Sequence, residues 1–326
     1  MAIVLPKVSV KDLQEWSKLG EVFTSGHRLC AGCGAGSMAR QVTLAAKALG
    51  DPYMFVNATG CLEVASTVYP YTAWDAPWLH NAFENAAATA SGAIEAMKSM
   101  QRKGLMKERN VNMIVFGGDG GTYDIGLQSL SGAIERGHDF LYVCYNNGAY
   151  MNTGIQRSSG TPQGAATTTS PPGSVIPGKI VWQKPLAEII ASHDIPTFTA
   201  SPAYPRDLMA KVQAGLKHDG PAFMLVDSPC NLGQRYAPDI SMEIAKLAVK
   251  TCFFPLFYTY KEEWVLTGIS SRLAKNPDRK LPIEDFLKPQ GRFRHLFKPE
   301  WKNKLIEIQD TIDEKWERLV TKATCV

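Results

Sequence analysis

The most constraining stretch of this sequence is Met113-Ile114-Val115-Phe116, which runs without a break into Gly117-Gly118-Asp119-Gly120-Gly121. An apolar run with no polar alternation suits a strand covered on both faces, as in a parallel sheet. The glycines after it let the backbone turn sharply and pass close to a ligand. Similar apolar runs occur at residues 53–56, 140–145, 197–199 and 223–227, with segments of helical character between them. Residues 35–49 are rich in alanine. Residues 85–101 end in basic residues near Lys103. Residues 125–135 stop before Gly137, and residues 205–218 open on Pro205 and Asp207 and stop before Gly220-Pro221. These are helix start and stop signals. Strands alternating with helices predict an α/β fold, a mostly parallel sheet with helices on both faces.

The chain has 326 residues, 45% of them hydrophobic and 20% charged, with a formal net charge of +4. Those values suit a packed globular chain and exclude disorder. The charge is too small for its length to indicate a nucleic-acid or membrane-surface partner. Residues 1–238 read as the α/β domain and 239–326 as a C-terminal extension packing on the body or on partner subunits. Within the extension, Leu305, Ile308, Ile312, Trp316 and Leu319 fall at helical spacing and form one apolar stripe. Residues 158–184, rich in Ser, Thr, Pro, Gly and Ala, read as a long loop of functional or mobile type. The first twenty residues lack the apolar core of a signal peptide, and no stretch reads as a membrane span, so the expected location is the cytoplasm.

The glycine-rich turn has a chemistry of its own. Free amides at a helix start attract phosphate. Asp119 repels phosphate unless a divalent cation lies between them. Magnesium commonly bridges a carboxylate and phosphates through hard oxygen ligands. The run over 140–145 ends in Asn146-Asn147-Gly148-Ala149-Tyr150, which places Asn147 28 residues after Asp119. Its side-chain oxygen and a nearby backbone carbonyl can complete the coordination. Two ordinary strand–helix turns are the competing reading.

Seven cysteines are too few for a disulfide scaffold, so their positions matter more than their number. Cys30-Ala31-Gly32-Cys33 is a C-x-x-C knuckle set among glycines. Cys61 follows the run at 53–56, and Cys230 follows the run at 223–227. Thiolates from separate loops suit an iron–sulfur cluster or a structural zinc, and a redox dithiol is a third reading. Cys144 and Cys252 lie in apolar segments and read as small core residues, and Cys325 reads as exposed near the terminus.

Taken together, the GDG turn and the Asn-Asn pair resemble the thiamine diphosphate-binding motif. With the dispersed cysteines, the chain resembles the β subunits of 2-oxoacid:ferredoxin oxidoreductases, most closely those of the pyruvate:ferredoxin oxidoreductase (pyruvate synthase) type. The resemblance spans nearly the whole chain. It includes HRLCAGCGAG at 27–36, ATGCLEV at 58–64, FGGDGGTYDIGLQSLSGAIERGH at 116–138, AYMNTGIQRSSGTPQGAATTTSPPG at 149–173, GPAFMLVDSPC at 220–230 and QGRFRHLF at 290–297.

The resemblance implies that Cys30, Cys33, Cys61 and Cys230 hold a proximal 4Fe-4S cluster. It implies that Asp119, the Asn147 side chain and the Ala149 carbonyl bind magnesium, and that Gly118, Gly120 and Gly121 line the diphosphate. Asn152 would face the reacting carbon, and Thr59, Gly60 and Glu63 would flank cofactor and cluster. Asn146 and Gly148 stand where many members carry acidic residues, and Gln234 lies in a variable region.

The implied reaction is oxidative decarboxylation of a 2-oxoacid, with electrons leaving through the cluster to ferredoxin and the acyl group leaving on coenzyme A. Pyruvate is the expected substrate, with oxalate, 2-oxoglutarate, branched-chain and aryl 2-oxoacids as alternatives. A non-redox thiamine decarboxylase with structural zinc is the competing class, and a zinc-stabilised assembly subunit with no enzymatic role is the third. The implied partners are an α subunit supplying the activating Glu, γ and δ subunits with further clusters on δ, and a dimer of such heteromers.

Several polar and aromatic residues have two readings. His80 and Glu84 read as a satisfied helix pair or as a wall of the site. Arg157 reads as a substrate or coenzyme A contact or as a solvated loop charge. His27 reads as a cap on the cysteine loop. Tyr71, Trp74, Trp78 and Phe83 read as one aromatic cluster of core or interface packing.

Overall fold

The computed structural model describes residues 3–107 and 109–325. Nine strands form one sheet: β1 Tyr53–Ala58, β2 Trp78–Asn81, β3 Asn112–Gly118, β4 Leu141–Asn146, β5 Thr197–Ala200, β6 Ala222–Asp227, β7 Phe257–Tyr260, β8 Glu263–Leu266 and β9 Ala323–Cys325. Their order is β2-β1-β3-β4-β6-β5-β7-β8-β9. The first six run parallel, β7 runs antiparallel to β5, and β8 runs antiparallel to β7. β9 returns parallel to β8.

The central strands are hydrophobic on both faces because both faces are covered. Met113, Val115, Tyr142, Phe223 and Leu225 pack under the helices Ala86–Arg102, Leu127–Glu135 and Ser241–Lys250. Ile114, Phe116, Leu141, Val143, Met224 and Val226 pack under the helices Gly34–Lys47 and Pro205–Leu216. The expected α/β architecture with helices on both faces is present. All five expected strands form, and the expected helices form with small shifts at their ends.

One shift bears on the site. The helix expected from residue 125 begins at Leu127, because Gly120–Ile125 is wound as a wider π-helical turn with Asp119 at its start. Such turns occur mostly at functional sites.

Residues 239–325 carry more than a helix. Strands β7, β8 and β9 extend the sheet past β5, and the helix Lys302–Lys322 buries its expected stripe of Leu305, Ile308, Ile312, Trp316 and Leu319. These strands are short and lack an Asn-Gly or Asp-Gly turn, the strongest hairpin signal in a sequence. β2 is a four-residue edge strand whose central residues are exposed, so it shows no apolar pattern either. No helix among the described residues is long and apolar enough to cross a membrane.

Phe293 is fully buried in the cluster that joins the C-terminal residues to the sheet. Phe293→Ala is expected to destabilise the fold by about 3–5 kcal/mol, read as a lower urea midpoint with unchanged slope.

Candidate active site

Adjacent parallel strands aim their carboxyl ends the same way, so loops distant in sequence meet there. From β1, chain order leads outward in one direction to β2 and in the other to β3 and β4. Ligands of open α/β sheets bind at such a reversal of strand order. A pocket lies there, lined by Thr59, Gly60, Cys61, Phe83, Gly118–Gly121, Tyr145, Asn147 and Ala149–Thr153. It gathers Thr59, Gly60, Gly118, Asp119, Gly120, Gly121, Asn147, Ala149, Asn152 and Cys61 from three separate loops.

Asp119 is buried, and its Oδ1 has no hydrogen-bond partner. Its Oδ2 accepts from Ser158 Oγ, and the backbone amide of Asn147 also approaches the carboxylate. Burial outweighs these donors and pushes the Asp119 pKa up to about 7. Asn147 Oδ1 accepts the Ala149 amide at 3.3 Å, and Gln234 Nε2 donates to the Asn147 carbonyl at 3.0 Å. A dry, half-satisfied carboxylate beside an amide oxygen suits a hard divalent cation, so the residues fit magnesium.

The loop over 158–184 packs against the Asp119 and Gly148 turns from outside the pocket lining. Thr161 Oγ1 donates to the Gly148 carbonyl at 2.7 Å, and Ser159 N donates to Asp124 Oδ2 at 3.0 Å. Lys179 is buried and donates to the carbonyls of Ser159 and Thr161 at 3.1 and 2.5 Å. Of the two expectations for this loop, the structure shows a built segment that touches the site. Behind the Asn146–Gly148 turn lies a larger cavity walled by Trp182, Phe254 and Trp316 and reached by Asp227 and Arg292.

The four expected cluster cysteines come near enough to act on one another's charge. Gly34 N donates to the Pro229 carbonyl at 2.9 Å, which seats the C-x-x-C knuckle against the loop of Cys230. A Cβ on Gly34 would lie 2.6–2.8 Å from Pro229 atoms, so only glycine allows this approach. Burial pushes the Cys61 thiol up to about 12, and Cys230, Cys33 and Cys30 add to the rise. Burial also raises Cys33 and Cys230, against amides of Gly36 and Ala35 for the first and of Gly233 and Leu232 for the second. Gly233 N lies 3.4 Å from Cys230 Sγ. Amides aimed at sulfur suit thiolates, and bound iron would deprotonate the thiols outright. Among the described residues no three His, Cys, Asp or Glu side chains form a preassembled metal cage.

Several residues sit elsewhere than expected. His80 and Glu84 are not a helix pair: His80 lies on β2, with Nε2 2.9 Å from Thr59 Oγ1 and 3.6 Å from Glu63 Oε2. Glu63 is buried on the helix Cys61–Ser66, where Thr67 Oγ1 donates to it at 3.2 Å. It stands behind Thr59, outside the pocket lining. The aromatic cluster divides. Trp74 and Trp78 stack with each other, Trp74 also packs on Phe23 and Phe55, and Tyr71 is exposed. Phe83 meets Tyr150 edge-on at 5.9 Å in the pocket wall. His27 stacks flat on Phe23 at 4.9 Å. Arg157 is exposed. Cys144 and Cys252 are buried, and Cys325 is half-buried because β9 pairs it with Leu266.

Comparisons with known proteins place the chain in a family. The family model described as thiamine pyrophosphate enzyme, C-terminal TPP binding domain, matches residues 58–226. The chain is 48% identical to pyruvate synthase subunit PorB of Thermotoga maritima, over 96% of each chain. It is 49% identical to the same subunit of Methanocaldococcus jannaschii, over 92% of this chain and 96% of the relative. The chain belongs to the 2-oxoacid:ferredoxin oxidoreductase β-subunit family. Ketoisovalerate oxidoreductase subunit VorB of Pyrococcus furiosus is 42% identical over 92% of each chain. A solved 2-oxoglutarate:ferredoxin oxidoreductase from Magnetococcus marinus shares the fold, with TM-score 0.55 and 19% identity over 88% of this chain and 94% of that one.

This β-subunit family member holds the Asp119 and Asn147 turns partly through Ser158, which sequence reasoning left out, and Gln234, noted there only as lying in a variable region. Gln234→Leu leaves the Asn147 carbonyl without its partner and is expected to cost about 1–3 kcal/mol in chemical denaturation. Leu232→Gln, at an exposed position of the same short helix, is expected to change stability by less than about 0.5 kcal/mol.

Proposed function

We propose that this chain is the catalytic β subunit of a cytoplasmic 2-oxoacid:ferredoxin oxidoreductase that converts pyruvate and coenzyme A to acetyl-CoA and CO2, reversibly. The observation that carries this reading is the meeting, in one pocket wall, of an unpaired buried Asp119, the Asn147 turn and a cluster-type cysteine. Pyruvate is preferred over a branched-chain substrate because the relatives named as pyruvate synthase subunits reach 48–49% identity, against 42% for the ketoisovalerate enzyme subunit.

When bound, thiamine diphosphate supplies an electron sink for the decarboxylated substrate, and a 4Fe-4S cluster accepts electrons singly. The chain's own residues set the stage for that chemistry. Asp119, Asn147 and the Ala149 carbonyl hold magnesium, and Gly118, Gly120 and Gly121 leave room for the diphosphate. Ser158 keeps one Asp119 oxygen occupied, so the other is free for the cation. Phe83 and Tyr150 close one side of the pocket against water. Asn152, in the exposed turn after Tyr150, faces the space where substrate enters. Thr59 is oriented by His80, which is in turn held by Glu63. Cys30, Cys33, Cys61 and Cys230 hold the cluster beside this pocket.

The remaining parts of the enzyme lie on other subunits. The α subunit supplies the Glu that activates the aminopyrimidine ring and part of the substrate site. The γ and δ subunits join them, δ carries further clusters toward ferredoxin, and the assembly is a dimer of heteromers.

Two measurements test this. Cys61→Ala and Cys230→Ala in the anaerobically purified complex are expected to lose one cluster's iron and its visible absorption, whereas Cys325→Ala keeps both. A zinc protein would be colourless in the wild type already. Across a panel of 2-oxoacids with coenzyme A and ferredoxin, the complex is expected to turn over pyruvate at least about tenfold faster than the branched-chain and aryl acids, a difference of about 1.4 kcal/mol in barrier. The isolated chain is expected to show no turnover. Turnover by the chain alone would remove the need for the partners.

A further inference from the structure

Tyr145 occupies the partition between the two cofactor sites. It is the penultimate residue of β4, and its ring is fully buried. A Cβ built on Gly60 would collide with its hydroxyl, and one on Gly118 would lie 3.4 Å from the same ring edge and hydroxyl. The phenol therefore stands between the Gly60-Cys61 turn and the Gly118-Asp119 turn. Glycine at position 60 is what lets the hydroxyl come so near the cysteine turn.

The hydroxyl is also unused. The Leu62 amide lies toward its oxygen, but the phenolic hydrogen has no acceptor among the described residues. A buried donor with no acceptor is costly, so such groups need an explanation. A phenol at its ordinary pKa of about 10 is protonated at neutral pH, so a hydrogen is present to donate. The hydroxyl lies closer to the Gly60 position, where a Cβ would clash with it, than to the Gly118 position, where a Cβ would lie 3.4 Å away. The other buried tyrosine of this strand, Tyr142, shows the contrast: it packs on the opposite face, and its hydroxyl lies 3.1 Å from Thr122 Oγ1.

We infer that the Tyr145 hydroxyl donates a hydrogen bond to the sulfur of the cluster held by Cys61 and thereby sets that cluster's reduction potential. The inference rests on the reading of the four cysteines as cluster ligands. A donor at sulfur stabilises the added negative charge of the reduced cluster, so it raises the potential. Its place between the two sites makes Tyr145 a control on the electron step nearest the cofactor, where no charged side chain is needed.

The test uses the complete complex, purified without oxygen, as wild type, Tyr145→Phe and Tyr142→Phe. The cluster signal is identified as the one missing from Cys61→Ala, and its midpoint is read by redox titration with electron paramagnetic resonance. In Tyr145→Phe the iron content is expected to equal wild type, thiamine diphosphate affinity to stay within twofold, and the midpoint to move to a more negative potential. Tyr142→Phe is expected to leave the midpoint in place. An unmoved midpoint in Tyr145→Phe with the cluster intact overturns the inference, and so does the same result with several-fold weaker thiamine diphosphate binding, which would assign the hydroxyl to the other cofactor. Loss of the cluster from Tyr145→Phe also overturns it, in favour of a purely structural role. A wild-type complex with no signal assignable to Cys61 refutes the cluster reading itself, a result separable from the others.

Discussion

A carboxylate buried with one oxygen unpaired is the constraint around which the carboxyl edge of this sheet is organised. Asp119 stands at the end of β3, where a neutral residue would be cheaper for folding alone. An uncompensated buried charge costs several kcal/mol, and a bound cation is one way to offset it. Everything that touches Asp119 limits that cost without removing the vacancy. Ser158 satisfies one oxygen, the Asn147 amide leans on the carboxylate, and Lys179 ties the loop of Ser158 down through two carbonyls. The free oxygen is left facing the pocket.

The strand order then explains why the cysteine loops and the Asp119 turn share one wall. β1 delivers Gly60 and Cys61, β3 delivers Gly118 and Asp119, β4 delivers Asn147, and β6 delivers Cys230, and these four strands lie side by side in that order. A parallel sheet aims all four loops at one edge. The C-x-x-C knuckle reaches the same edge from one sheet face, at the start of the helix Gly34–Lys47, and Gly34 locks it to Pro229. Gln234 closes the circuit, because it lies on the short helix after Cys230 and bonds the Asn147 carbonyl. The Cys230 loop and the Asn147 turn are thus joined by a hydrogen bond within one chain.

Much of this was legible from the residues, and the limits of legibility have physical causes. The central strands announce themselves because burial on both faces demands unbroken apolar runs. Asp119 and Asn147 stand out because a carboxylate in a glycine turn is unreasonable without a cation. Ser158 did not stand out, since one serine in a serine-rich loop has no periodicity and its role comes only from the fold that brings it to Asp119. His80 was misplaced for the same reason: a spacing of four to Glu84 suggests a helix, but the pairing of β2 with β1 sets His80 beside Asn57 and in reach of Thr59 and Glu63. Strands β7 to β9 escaped because they are short and two of them depend on partners far away in the chain.

The residues flanking Asn147 follow from the same charge balance. Asn146 uses both ends of its amide: Nδ2 donates to the Tyr123 hydroxyl at 3.1 Å, and Oδ1 accepts the Gly148 amide at 3.1 Å. An aspartate there could accept but not donate, and it would add a negative charge within a shell that already holds Asp119 and Asp124. Gly148 has φ of 82°, and a Cβ there would come within 2.8 Å of Arg292 Nη1. Arg292 is buried with that nitrogen unbonded; Tyr236 and then the Asp227 carboxylate at the end of β6 offset its burial. An acidic side chain at 148 would therefore meet a waiting cation, whereas glycine leaves Arg292 to balance Asp227 and keeps the turn's own charge at zero. Within the two turns, residues 118–121 and 146–148, Asp119 is the one acidic residue, and the others are neutral.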